Sequence, residues 1–148
     1  MEDIKLKCKN KDTMAEDIEN YLNDLDIQLA NLEKLGSSLL VIGYALFVYG
    51  SNIDILDTLG INNTGQTATS ITLQGGELIL YGYILLFIVS AKRLEEKIFE
   101  NEATENTYVL SPYQKLYFSY WVAIFMNLLR VSALSELDYL NKSGEAFV

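Results

Sequence analysis

The sequence predicts an all-α protein: an integral membrane helical bundle of three transmembrane helices with an N-terminal amphipathic helix. Three observations predict it. Uncharged apolar segments of 14 to 19 residues recur three times, too long for ordinary strands. Tyrosines and the single tryptophan crowd those segments, as in an aromatic belt. Lys and Arg alternate between rich and poor from one polar stretch to the next. Half of the 148 residues are hydrophobic, although the chain carries 11 basic and 20 acidic residues, so apolarity and charge must be segregated along it.

Taken in order, residues 1–13 read as a polar, disordered tail. Lys5, Lys7, Lys9 and Lys11 resemble the basic start of a secretory signal, but an acidic amphipathic stretch follows where an apolar core would be needed. Residues 14–35 read as an amphipathic cytoplasmic helix. Ile18, Leu22, Leu25, Leu29 and Leu32 recur at steps of four, three, four and three, the period of a coiled-coil seam. That seam either lies on the rest of the protein or associates with another chain.

The three-span membrane domain occupies residues 36–134, with spans at about 36–54, 73–91 and 114–134. No charge occurs between Lys34 and Asp54, which gives 19 uncharged residues, close to the length a spanning helix needs. Residues 51–75 form a polar connector without Lys or Arg; a short turn of helix near Ile53–Leu59 and a sequon-like Asn62-Asn63-Thr64 fall within it. The second uncharged run, Leu78–Ala91, has only 14 residues. It reaches spanning length by passing back through Glu77, which would then sit near the headgroups, while Lys92 and Arg93 close its other end. Pro112 suits the first turn of the third helix, with Ser111 as its cap. The third uncharged run, Leu116–Leu129, again has 14 residues and reaches Leu134 only by including Arg130. Residues 135–148 read as a polar, frayed tail.

Charge sets the expected orientation. Nine of the 11 Lys and Arg precede the first span or lie between the second and third. The positive-inside rule places those regions, and the N-terminus, in the cytoplasm of a cell-membrane protein, with the C-terminus outside. The net charge of −9 and the presence of only two arginines exclude a nucleic-acid partner of the usual basic kind. The absence of histidine excludes Ser-His and Cys-His nucleophiles and His metal ligation. Cys8 is the only cysteine and can form no internal disulfide. Carboxylate pairs such as Glu95-Glu96 lack the Glu-x-x-His context of a bundle metal site. No catalytic residue, cofactor or metal is expected.

Two sets of residues within the spans stand out. Gly36, Gly43 and Gly50 fall seven apart on one face of the first span, and Gly75 and Gly82 repeat the spacing in the second. The segments around them are locally alike, SSLLVIGYALFVYGS against GELILYGYILLFIVS. Small residues let helix backbones approach closely in lipid, so these are expected helix-packing positions, at a helix–helix or subunit interface; glycine is also simply tolerated in spans. In the third span Ser119, Ala123, Asn127 and Arg130 form a small or polar stripe. Either that stripe lines a pore or oligomer axis, or Asn127 bonds a neighbouring helix and Arg130 snorkels to the outer surface.

The expected function is therefore that of a small non-enzymatic membrane protein acting by helix–helix association. It would form a homo-oligomeric, pore-forming or holin-like assembly, or serve as an accessory subunit of a membrane complex, with the lipid bilayer, further copies or other membrane subunits as partners. The alternative is a soluble or peripheral helical-bundle interaction protein whose apolar core a partner covers. The Asn-, Ile-, Lys- and Tyr-rich composition points to a low-GC bacterium or its phage.

Overall fold

The computed structural model describes the backbone of residues 2–103 and 108–144 and the side chains of residues 18–102 and 108–144. Three helices make up the fold: α1 (Glu2–Thr58), α2 (Ala68–Ala103) and α3 (Ser111–Ser143). Among the described residues there is no strand. Each helix contains a segment long and apolar enough to cross a membrane. The observed architecture is thus all-helical, built on three long apolar helices.

The helices run well past the apolar runs that foreshadow them. Residues 2–13, expected as a tail, and residues 14–35, expected as a separate helix, belong with the first apolar run to one helix of 57 residues. No Gly or Pro occurs between Glu2 and Leu35, and Gly36, where polar sequence gives way to apolar, is not in the left-handed conformation that would stop a helix but packs on Gly82 of α2. α2 likewise starts at Ala68 rather than 73 and continues past Lys92 to Ala103, and α3 extends through the expected polar tail to Ser143. Residues 145–148 and the side chain of Cys8 lie outside the described residues.

The helix ends have identifiable causes. α1 stops at a Schellman turn. Gly60 adopts φ +68°, its N–H donates to the Asp57 carbonyl, and the Ile61 N–H donates to the Leu56 carbonyl. Asn62 then ties the connector together. Its Nδ2 donates to Asp57 Oδ1 at 2.7 Å and to the Gln66 carbonyl at 3.0 Å, while its Oδ1 accepts from Thr64 N and Oγ1. Thr67 receives the Ser70 N–H on its hydroxyl at 3.3 Å as α2 begins. Ser111 is the first residue of α3, not its cap. The cap position falls to Leu110, which makes no side-chain capping bond, because Pro112 already removes one of the N–H groups that a cap would satisfy. Gly144 ends α3 in the left-handed conformation, φ +76°.

The chain runs up, down and up. α2 is central: α1 packs along one side and α3 along another, and among the described residues α1 and α3 share no backbone contact. The connector 59–67 and the C-terminal end of α3 lie together, since Thr69 meets both Asp138 and Asn141. The start of α1 lies at the opposite end. The buried apolar residues Leu29, Ile53, Ile71, Ile79, Leu86 and Val89 all come from α1 and α2, so the tightest packing is that of one helix pair. A large apolar surface remains uncovered, including Val41, Val48, Phe118, Trp121, Phe125 and Met126.

Candidate functional site

The glycines of the first two apolar segments meet one another. Along α1, Gly36, Gly43 and Gly50 are buried; they face, in antiparallel order, Gly82, Gly75 and the Ala68–Thr72 turn of α2. A methyl group added at Gly43 would lie 2.6 Å from the Gly75 carbonyl oxygen, and one added at Gly75 would lie 2.7 Å from the Gly43 carbonyl. At Gly36 and Gly82 the corresponding approaches to each other's carbonyls are 3.0 and 2.8 Å. Backbone thus touches backbone for two turns of seven residues, which no other residue type allows. A seven-residue step keeps one face of each helix turned to the other. The third rung was missed in the sequence: Ala68 stands seven residues before Gly75 and extends the small-residue face. At Gly50 the nearest atoms are Thr72 Oγ1 at 2.6 Å and the Ala68 carbonyl at 3.2 Å.

Beyond the ladder the same two helices continue as a stalk. The seam Ile18, Leu22, Leu25, Leu29 and Leu32 is half-buried to buried, and the part of it nearest Lys92–Phe99 turns toward α2. Packing there is incomplete, and Tyr21, Leu22, Leu25, Lys92, Glu95, Glu96 and Phe99 line an open cavity of ≈ 310 Å³. Arg93 ties α2 to α1 by donating from Nη1 to Asp26 Oδ1 at 2.9 Å and from Nη2 toward Glu33 Oε2 at 3.5 Å. These groups are all partly exposed. Replacing Arg93 with alanine is therefore expected to lower stability by less than about 1 kcal/mol, and by still less in high salt, as thermal unfolding in detergent would show.

The stalk's second polar group is buried. Lys97 donates from Nζ to Glu96 Oε1 and to Glu100 Oε2, both at 2.9 Å, and sits 5.0 Å from the centre of the Tyr108 ring. The Glu96 side chain is only 1% exposed, and its Oε2 has no hydrogen-bond partner among the described residues. Burial works against the Lys97 ammonium, but the hydrogen bonds from Glu96 and Glu100, and then their charges, outweigh it and hold Lys97 well above the usual lysine range. Asn101 closes the same region, accepting from Tyr108 N at 2.6 Å and donating to the Tyr108 carbonyl at 3.2 Å.

In α3 the expected stripe separates into unlike parts. Ser119 is exposed and donates to its own helix at the Leu116 carbonyl. Asn127 is buried, its amide donating to the Ala123 carbonyl at 2.8 Å and its Oδ1 accepting from Arg130 Nη1 at 3.2 Å. Arg130 is exposed and lies 5.9 Å over the Phe47 ring of α1, across the groove between α1 and α3. Tyr83 and Phe87 of α2 pack on Tyr120 and Tyr117 of α3, with ring centres 6.5 and 4.9 Å apart. At the connector end Asp138 is buried, accepts from Lys142 at 2.6 Å and lies 3.5 Å from Thr69 Oγ1.

Glu77 stands apart from every one of these groups. It is exposed and has no hydrogen bond or ion pair among the described residues. It borders the uncharged run 78–91 of its own helix, yet it lies level with the middle of the uncharged run of α1. Gly43, near the middle of the uncharged run 35–53, packs on Gly75, two residues from Glu77. The helix pairing is staggered, so the carboxylate falls level with the centre of the first apolar run.

Among the described residues, no three His, Cys, Asp or Glu side chains are grouped so as to hold a metal ion. The class that the fold defines is an all-helical protein with three helices of membrane-spanning length and apolarity. The chain matches no family model, no curated protein and no solved structure.

Proposed function

We propose that the chain is an integral membrane protein that acts by helix–helix association rather than by chemistry, as a homo-oligomeric assembly. The observation that carries this reading is the openness of the three-helix unit. Among the described residues α3 packs its backbone on α2 and meets α1 only through Arg130 over the Phe47 ring, and only 6% of its apolar window is covered within the chain. A surface that apolar needs lipid or further protein against it. The distribution of charge supports an orientation with the N-terminus in the cytoplasm. Lys34, Lys92, Arg93, Lys97 and Lys115 gather toward the stalk end, whereas at the connector end Lys142 is held by Asp138. The connector and the C-terminus would then face outward. A homo-oligomer of such units could enclose a pore; a single copy bound to other subunits would be an accessory component.

Alkaline extraction of membranes is expected to leave the protein in the pellet, and the protein mass per lipid nanodisc is expected to be two or more times the chain mass. Release into the supernatant would favour the peripheral bundle with a partner-covered core. A single copy that purifies with other membrane proteins would favour the accessory subunit. In intact cells a membrane-impermeant maleimide is expected to leave Cys8 unlabelled; ready labelling would invert the orientation.

A further inference from the structure

Glu77 and Arg130 share one level of the molecule and face opposite ways. The level follows from their chain neighbours. Gly76 packs on α3 such that an added methyl would lie 3.5 Å from Val131 Cγ2 and 3.0 Å from Leu134 Cδ1, so Glu77 and Arg130 differ in height by about one or two residues. The directions follow from helix geometry. Successive residues turn about 100° around a helix axis. Gly75 faces α1 and Gly76 faces α3, so Glu77 turns a further step away, onto the surface of α2 that neither neighbour covers. Arg130 turns the other way, toward Phe47 and the α1–α3 groove. The α2–α3 interface stands between the two charges and keeps them from meeting within one chain.

Both charges lie inside the apolar layer if the chain spans a membrane. The uncharged run 78–91 falls about six residues short of a span, and Lys92 and Arg93 close its other end, so the layer must extend past Glu77. A charged side chain inside the layer is costly, up to about 3 kcal/mol at the bilayer centre on insertion scales and less toward its edges, and such groups pair with one another or face protein. Neither charge is neutralised here. Arg130 has Asn127 Oδ1 and an aromatic face as partners, not a carboxylate, and Glu77 has no partner among the described residues. Opposite charges at one depth on opposite faces are complementary between copies.

We propose that Glu77 of one copy pairs with Arg130 of the next. The exposed back of α2, marked by Gln74, Glu77 and Tyr81, seats in the α1–α3 groove of the neighbouring copy. The contact is head-to-tail rather than two-fold, so it repeats around a ring when the rotation closes. This pairing rests on the membrane-assembly reading and specifies its interface.

The test uses the full-length protein in lipid nanodiscs. Glu77→Arg and Arg130→Glu are each expected to reduce the oligomeric fraction about tenfold, the smaller end of measured couplings for close charge pairs. Combining the two reversals is expected to restore it. In a Cys8→Ser background, Glu77→Cys with Arg130→Cys treated with a short bismaleimide is expected to give a ladder of cross-linked multimers. Glu77→Cys alone is expected to give none. Oligomers that withstand both single reversals, or efficient cross-linking by Glu77→Cys alone, would overturn the pairing and leave assembly standing. A wild-type monomer in the bilayer would overturn both.

Discussion

Replacing Gly43 with leucine is expected to unseat α1 from α2 and to lower the stability of the pair by about 3 kcal/mol. The reason lies in what the new side chain would meet. A Cβ at Gly43 would lie 2.6 Å from the Gly75 carbonyl oxygen and 2.6 Å from Ile79 Cγ1, with the Ile79 backbone nitrogen at 3.1 Å. Side chains can rotate away from an intruder, but a carbonyl in a helix cannot move without its helix. The pair must therefore separate along the ladder, and the contacts at Gly36–Gly82 and Gly50–Ala68 weaken with it. Ala45→Leu is the control, because Ala45 is exposed on the same helix and the same leucine side chain is introduced there into open space. Thermal unfolding in detergent should show a large drop for the first variant and little change for the second. Equal behaviour of the two would mean that the close approach contributes little.

Lys97→Met is expected to destabilise the stalk by about 3–5 kcal/mol, the usual consequence of removing one partner from a buried ion pair. Glu96 would be left with neither carboxylate oxygen paired, in a position that is 1% exposed. Arg93→Ala, only a turn away, involves exposed groups and should be far milder, so the contrast isolates burial from charge. Replacing both members, Glu96→Leu with Lys97→Met, is expected to recover much of the loss, because the desolvated carboxylate goes with its partner. The wild-type pair also has a pH signature. The folded state holds Lys97 above the ordinary lysine range, so its contribution is fully present at and below neutral pH. That contribution is lost as pH rises beyond the lysine range and the ammonium gives up its proton. Protease resistance of the stalk, followed against pH, would check both points.

Much of this architecture was legible in the sequence, for reasons that also explain what was not. The three helices follow from uncharged runs too long for strands, and the glycine faces follow from a seven-residue period that any helix must place on one side. Which faces meet is a tertiary matter, since two glycine faces can close on each other or on other chains. The ends of the helices were misplaced because Gly36, where polar sequence gives way to apolar, keeps a helical backbone against Gly82 instead of turning left-handed as Gly60 and Gly144 do. Glu96–Lys97 was invisible for a similar reason: residues one apart do not share a helix face, and the pair forms because α1 buries the carboxylate. Glu77 reads as the edge of its own span when each span is taken alone. Only the stagger between α1 and α2 brings it level with Gly43.

The unbroken course of α1 has a mechanical meaning. From Gly36, the first rung against α2, the helix runs back to Glu2, about 50 Å at 1.5 Å per residue. No glycine or proline interrupts that length, so it works as a shaft rather than as two rods joined by a hinge. A slide or turn at the glycine contacts would reach the far end of α1 undiminished.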